Sequence, residues 1–180
     1  MTKTSGSSDL FRFWAWFNRG TGGKPGYRRL INGWLLIHAI IGASLATLIV
    51  APLDQAANTV LLPIAGLLIG LSFAWGGNAQ ALLQTSEIQQ LAKNNPGGFE
   101  DYVYTFQTAI LLILLTVILW AFAGLGLFSK LMGGWGTGVK GTLYFFASMT
   151  VRECWHVVMG AQWMLLAQYR IKSAEKSGEK

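Results

Sequence analysis

The sequence predicts an all-α integral membrane protein built on a bundle of four membrane-spanning helices. Of its 180 residues, 52% are hydrophobic and only 12% are charged, whereas a soluble domain carries about 25% charged residues. Glycine is abundant, at 22 residues, as it is where membrane helices pack closely. Four long apolar runs alternate with polar segments, which is the pattern of a multi-span protein and leaves no room for a separate soluble enzyme domain.

Residues 1–29 are predicted to form a cytoplasmic tail that contains one short amphipathic helix, from Leu10 to Arg19. Leu10, Phe13, Trp14 and Phe17 recur at helical spacing and share one face. About ten residues cannot span a bilayer, so we expect this helix to lie in the membrane interface, with packing against the bundle as the alternative. The residues expected at an anionic membrane surface are Arg12, Trp14, Trp16, Arg19, Arg28 and Arg29.

The four-span domain covers residues 30–169, and its first two spans are predicted over residues 31–50 and 60–75. Pro52 helps to end the first span. The second span carries small residues at every fourth position, a ladder that allows another helix to approach closely. We therefore predict helix packing at Gly66, Gly70 and Ala74.

A polar segment separates the second and third apolar runs. Residues 78–93 are rich in helix formers, and residues 94–98 (NNPGG) are a strong turn signal. We expect the second span to continue as a helix beyond the membrane, in a cytoplasmic hairpin over residues 78–105. Because a four-span bundle needs only a short turn here, the extra length predicts a docking surface for a soluble partner or a second copy of the chain. Its expected contact residues are Glu87, Lys93, Glu100 and Asp101.

The third and fourth spans are predicted over residues 108–128 and 143–166. A glycine-rich loop from Ser129 to Gly141 joins them, and residues 170–180 form a basic tail. Lys and Arg accumulate near both chain ends, so the positive-inside rule places both termini in the cytoplasm of a bacterial inner membrane. Lys130 and Lys140 run against that rule, because this orientation puts them outside.

The centre of the fourth span carries ionisable residues, which are costly at bilayer depth and mark candidate functional sites there. They are Arg152, Glu153 and His156, and His38 lies at a broadly similar depth in the first span. Arg152 and Glu153 point about 100° apart, so we expect them not to pair well within one chain. Arg152 and His156 are expected to share a face. Contact between protomers, a polar cavity and helix packing alone all remain open.

Two histidines at similar depth allow a further alternative, a b-type haem electron carrier whose iron is bound by His38 and His156. The other interpretation is that each imidazole hydrogen-bonds across helices. Apart from this haem alternative, no cofactor and no other metal is expected.

The sequence has no Ser-His-Asp set, metal-ligand cluster, phosphate loop or HExxH helix, so we do not expect an enzyme. Cys154 is the single cysteine, which excludes an internal disulfide.

These features together predict a non-enzymatic inner-membrane subunit that forms a homo-oligomer. It would sense or respond at the membrane through its fourth span and signal to a soluble cytoplasmic partner, without binding nucleic acid. In size and topology the chain resembles the small four-span subunits of bacterial immunity and phage-defence modules, including colicin-immunity-type proteins, and by analogy this implies a role in defence. The alternative is a pore or transporter lined by Arg152, Glu153 and His156.

Overall fold

Every regular element is helical in the computed structural model, which describes residues 9–20, 25–93, 98–129 and 134–178. The α-helices are α1 (Asp9–Arg19), α2 (Tyr27–Leu30), α3 (Trp34–Leu48), α4 (Leu53–Ala56), α5 (Leu62–Leu83), α6 (Ser86–Lys93), α7 (Gly98–Gly124) and α8 (Gly134–Gly178). A π-helical turn, Ala57–Leu61, joins α4 to α5, so that Leu53–Leu83 is one continuous helix. The predicted all-α class is confirmed.

Two helices are long and apolar enough to cross a membrane, Leu53–Leu83 and Glu100–Gly124. The first predicted span corresponds to α3, which is apolar but has only 15 residues. The fourth predicted span is the middle of α8, which has 45 residues and therefore extends over about 68 Å. Helix α8 is the axis of the fold, because α3, α5 and α7 all pack against it.

Helices α3 and α8 approach each other closely at Gly42. A Cβ atom at this position would lie 2.6 Å from the carbonyl oxygen of Gly141 and 2.8 Å from the backbone nitrogen of Phe145. Both neighbours are backbone atoms, so only glycine fits. By contrast, Gly66 and Gly70 of the predicted ladder are exposed and have no atom within 4 Å of such a Cβ. Within one chain, Gly42 of α3 therefore allows close helix packing, whereas Gly66 and Gly70 of the predicted ladder do not take part in it.

The glycine-rich segment before the fourth apolar run is helical from Gly134, not a loop up to Gly141 as predicted. Lys140 lies in this added helix, and its ammonium group donates to the backbone carbonyls of Ile49 and, at 3.1 Å, Ala51. A cation there satisfies carbonyls that the end of α3 leaves unpaired. This contact gives Lys140 a structural role in holding α3 against α8.

The segment between the second and third apolar runs folds back on the protein. Helix α5 continues beyond the predicted span end at Trp75, as expected, but it ends at Leu83 and the chain turns before α6 begins, so the predicted extension is not one continuous helix. Ile88 of α6 is 1% exposed and belongs to a buried cluster with Ala161 and Met164 of α8. Burial of this apolar face holds α6 against α8. Helix α8 continues through the predicted basic tail to Gly178.

An ion pair between α6 and the far end of α8 predicts that this docking depends on pH. The Glu87 carboxylate lies 3.4 Å from the Lys172 ammonium, and its pKa is lowered first by a hydrogen bond from its own backbone N–H and then by Lys172. Because the folded-state pKa is lowered, the contribution to stability exists above the ordinary value of 4.5 and is lost as the pH falls through the folded-state value. We expect hydrogen exchange of the α6 amides, corrected for intrinsic rates, to quicken in that acid range.

The matched variants for this prediction are Glu87→Gln and Glu100→Gln, since Glu100 is an exposed carboxylate at the start of α7. Glu87→Gln should remove the pH dependence of exchange in α6, while Glu100→Gln should keep it. An acid transition that survives in Glu87→Gln would show that another group controls the docking of α6.

Candidate functional site

A cavity of about 760 Å³ lies between α3, α5, α7 and α8, within the range of about 300–1,000 Å³ usual for small-molecule sites. Its wall is mostly apolar. Representative side chains are Ile41, Leu45 and Ile49 of α3, Ala65, Leu68 and Leu71 of α5, Val117 of α7, and Ala147, Val151 and Trp155 of α8. Such a wall suits a molecule with an apolar body.

Four buried polar atoms around this cavity lack a hydrogen-bond partner. They are His38 Nε2, Trp120 Nε1, Tyr144 Oη and Arg152 Nη1, and all four residues line the cavity. His38 is 6% exposed, Trp120 1% and Tyr144 2%. Each unsatisfied polar group costs about 1–3 kcal/mol, and buried polar groups in proteins are normally paired. Because these atoms have almost no accessible surface, they lie within the wall of the cavity and not on its surface.

The unpaired atoms form two groups along α8. At one end the rings of Trp120 and Tyr144 are in contact, with centroids 5.6 Å apart. Further along, His38 Nδ1 lies 2.7 Å from Ser148 Oγ, which leaves Nε2 free. Tyr144, Ser148 and Arg152 recur every four residues and therefore share a face of α8 that is about 12 Å long.

Other polar side chains in the same wall are already satisfied within the protein. Thr150 Oγ1 donates to Thr116 Oγ1 at 2.8 Å, and the Thr116 hydroxyl donates to the carbonyl of Leu112 at 2.9 Å. Ser72 Oγ donates to Cys154 Sγ at 3.2 Å. These bonds join α7 and α5 to α8 and have a structural role, so the unpaired atoms are a distinct set.

The cavity opens sideways between α3 and α5. Both helices pack against α8, yet within the described part of the chain they make at most marginal contact with each other. Ile41, Ile64 and Trp155 line the cavity and are also exposed on the outer surface. The mouth therefore faces the apolar exterior of the bundle, which in a membrane is the lipid.

A second, smaller cavity of about 260 Å³ is lined by residues of α7, of the opposite side of α8 and of α2. Its charged and ionisable lining residues are Arg29, Asp101, Glu153 and His156. Arg29 Nη2 lies 2.7 Å from Asp101 Oδ2. The residues predicted as one polar cluster are thus divided, since Arg152 lines the large cavity with His38. Arg152 and His156, one turn apart on α8, thus line different cavities.

Arg152 and Glu153 approach each other across the wall between the two cavities. Their Nη1 and Oε1 atoms are 3.9 Å apart, and both side chains are mostly buried. The sequence predicted that these neighbours would not pair well within one chain. They form a long ion pair without a hydrogen bond, because long side chains on adjacent residues can turn towards each other although their Cβ atoms diverge.

The two histidines do not meet at one cavity. His38 is buried at the large cavity, whereas His156 is exposed and lines the small one. One haem iron cannot bind both within a single chain, which argues against the haem alternative. Helix α8 turns His156 towards α7, and the sequence spacing of two distant helices cannot reveal that rotation.

Helix α1 packs on the bundle through part of its predicted membrane face. Phe13 and Trp16 are buried, Tyr104 of α7 contacts both rings, and Trp16 Nε1 donates to Asp101 Oδ1 at 3.0 Å. Trp16 therefore faces the protein, and Arg29 contacts Asp101 while its side chain stays exposed. The remaining predicted surface residues, which are Arg12, Trp14, Arg19 and Arg28, are exposed. Of the two arrangements predicted for α1, packing against the bundle is therefore the one seen for Phe13 and Trp16.

Two of the four predicted docking residues have partners within the chain. Asp101 contacts Arg29 and Glu87 contacts Lys172. Glu100 is exposed, and the side chain of Lys93 lies outside the described residues.

Sequence reasoning missed Trp120 and Tyr144 as site residues. Each lies in an apolar run, where an aromatic residue is normally part of the core, and no sequence signal shows that its polar atom has no partner.

Comparison of the chain with protein-family models, with curated proteins and with solved structures found no match.

Proposed function

We propose that the protein is a multi-pass membrane protein that takes up an amphipathic molecule from the bilayer into its large cavity. The observation that carries the proposal is a cavity of about 760 Å³ with a mostly apolar wall between α3, α5, α7 and α8. The apolar body of such a molecule suits this wall and the lateral mouth. Arg152 is the charged residue among those that line the cavity.

The same proposal includes four spans, with both termini in the cytoplasm of a bacterial inner membrane. Two helices long enough to cross support it, together with α3 and the middle of α8, which run beside them. In a Cys154→Ser background, cysteines at Asn18, Ser129 and Ser173 test this orientation with a membrane-impermeant maleimide on whole cells. Ser129→Cys should react in intact cells, and the other two only after permeabilisation. The opposite pattern would reverse the topology.

A sensory role is the function that this site supports best. Helix α8 forms one wall of the cavity and continues without interruption to the surface where α6 docks through Ile88. A ligand that moves α8 would therefore alter the cytoplasmic end of the molecule.

The sequence also predicts a homo-oligomer, a soluble cytoplasmic partner and a role in defence, and these stay predictions. Gly66, Gly70 and Ala74 are exposed on the outer face of α5, where a second copy could pack.

Filling the cavity tests the proposal. Leu68 lines the cavity, whereas its neighbour Leu67 is exposed on the outer face of α5. We expect decylubiquinone or oleic acid to bind purified wild-type protein and raise its melting temperature, because ligands stabilise the state that they bind. Leu68→Trp should abolish that shift and Leu67→Trp should keep it. The proposal fails if wild-type protein binds neither probe, or if Leu68→Trp binds as wild type does.

A pore remains the second candidate, and one observation favours it. The two cavities flank α8 at the Arg152–Glu153 ion pair, so a charged group separates an apolar opening from a polar one. A pore predicts proton or ion flux through protein-containing liposomes that is lost in Glu153→Gln. Equal flux in wild-type, variant and protein-free liposomes would exclude it.

A further inference from the structure

We infer that the small cavity is a second binding site, for a small organic cation in the form of a protonated primary amine with an apolar body. The cavity has a volume of about 260 Å³, below the range of about 300–1,000 Å³ for drug-sized ligands. It is lined by Glu153 and His156 of α8, Asp101 and Thr105 of α7, and Arg29. None of these residues lines the large cavity, so the inference does not depend on the uptake proposed there.

The first argument is the carboxylate of Glu153, which accepts no hydrogen bond within the described part of the chain. Its side chain is only 12% exposed, and its ion-pair contact with Arg152 Nη1 is 3.9 Å long, too long for a hydrogen bond. Arg152 Nη1 is fully buried, but neither oxygen of Glu153 is, so the carboxylate remains accessible in the cavity that it lines. Mostly buried carboxylates normally accept hydrogen bonds, and a ligand in this cavity can donate them.

The second argument is that the other charged groups of the cavity are engaged within the protein. The Arg29 guanidinium donates to Asp101 Oδ2 at 2.7 Å and to Thr105 Oγ1. The other carboxylate oxygen of Asp101 accepts a hydrogen bond from Trp16 Nε1 at 3.0 Å. An anionic ligand would therefore meet the free carboxylate of Glu153, and like charges in contact are costly. The site favours a cation over an anion.

The third argument is the balance of donors and acceptors. Glu153, His156 and Tyr102 line the cavity. An ionised carboxylate only accepts hydrogen bonds, and a neutral imidazole and a phenol each accept as well as donate. An ammonium group has three donors and no acceptor, so it complements this set, and its hydrogen bond to the carboxylate is strengthened by charge.

The rest of the wall suits the apolar body of such an amine. Phe106, Val157, Met159 and Met164 line the cavity beside the polar groups, and aromatic rings attract a cation that lies over their faces. Met159 and His156 are also exposed on the outside of the bundle. The cavity therefore has an opening at these residues through which a small molecule can enter.

Calorimetric titration of the full-length protein in detergent tests this site, with benzylamine as the probe and benzyl alcohol as its neutral counterpart. Both molecules carry the same ring, but at neutral pH only benzylamine has an ammonium group. We expect wild-type protein to bind benzylamine about tenfold more tightly, because a charge-assisted hydrogen bond is roughly twice as strong as a neutral one. The heat of titration into protein-free micelles is subtracted for each probe.

Two variants and two controls locate the binding. Glu153→Gln keeps the shape of the side chain without its charge and should weaken benzylamine binding about tenfold. Gly160→Leu narrows the cavity without changing a charge and should also weaken binding, and a Cβ there would make an ordinary contact of 3.4 Å with Phe106 Cζ. Glu100→Gln, at an exposed carboxylate of α7, and Leu68→Trp, in the large cavity, should bind benzylamine as wild type does.

A preference for benzylamine that both variants reduce supports the inference. Equal binding of the two probes by wild-type protein overturns it, and so does benzylamine binding that Glu153→Gln retains. Loss of binding in Leu68→Trp alone would place the amine in the large cavity, which overturns the inference and leaves the uptake proposal intact. Melting temperatures without ligand show which variants are folded. If Glu153→Gln is not, the wild-type comparison and Gly160→Leu decide the outcome.

Discussion

Replacement of Gly42 by alanine is expected to force α3 away from α8 and to lower the free energy of unfolding by about 3 kcal/mol. The added Cβ would lie 2.6 Å from the Gly141 carbonyl oxygen and 2.8 Å from the Phe145 nitrogen. These are backbone atoms of a neighbouring helix, so no side-chain rotation relieves the clash and the helices must separate. Because α3 supplies one wall of the large cavity, the uptake proposed for that cavity should be lost together with stability.

Thermal unfolding in detergent, followed by circular dichroism, measures this effect. The matched controls are Gly66→Ala and Gly70→Ala, where the new methyl group would have no atom within 4 Å. Alanine favours the helix over glycine, so these variants should be as stable as wild type or more stable by about 0.5–1 kcal/mol. Equal melting temperatures for Gly42→Ala and Gly66→Ala would contradict the close approach of α3 and α8.

Replacement of Asp101 by alanine is expected to release the N-terminal helix, at a cost of about 3 kcal/mol. Asp101 accepts a hydrogen bond from Trp16 Nε1 at 3.0 Å and from Arg29 Nη2 at 2.7 Å. Without the carboxylate, the Trp16 N–H is buried with no acceptor and Arg29 loses its countercharge. Helix α1 should then leave α7, and trypsin should cleave after Arg12 and Arg19 faster than in wild-type protein.

Two further variants show which property of Asp101 the trypsin experiment reports. Glu100→Ala changes the neighbouring exposed carboxylate and should leave the trypsin pattern unchanged. Asp101→Asn retains an acceptor oxygen for Trp16 but removes the charge, so its cleavage rate should fall between those of wild type and Asp101→Ala. If Asp101→Ala is cleaved no faster than wild type, apolar packing of Phe13 and Trp16 alone holds α1 in place.

Local features of the fold were predictable from the sequence because composition and periodicity report on the chain itself. The all-α class, the helix from Leu10 to Arg19 and the concentration of ionisable groups in α8 all appear in the structure. Helix ends were less predictable. The stretch before residue 141 reads as a loop because glycine disfavours helix, but contact with α3 and the bonds from Lys140 hold it in α8.

The cavity depended on tertiary structure. Trp120 and Tyr144 lie in different helices, and only the packing of α7 on α8 brings their rings together and leaves their polar atoms unpaired. The same packing assigns His38 and His156 to different cavities. The sequence by itself determined an apolar helical protein with costly charges in its last long helix. The rotation and close approach of whole helices decided which helix faces meet. Both depend on interactions between residues far apart in the chain.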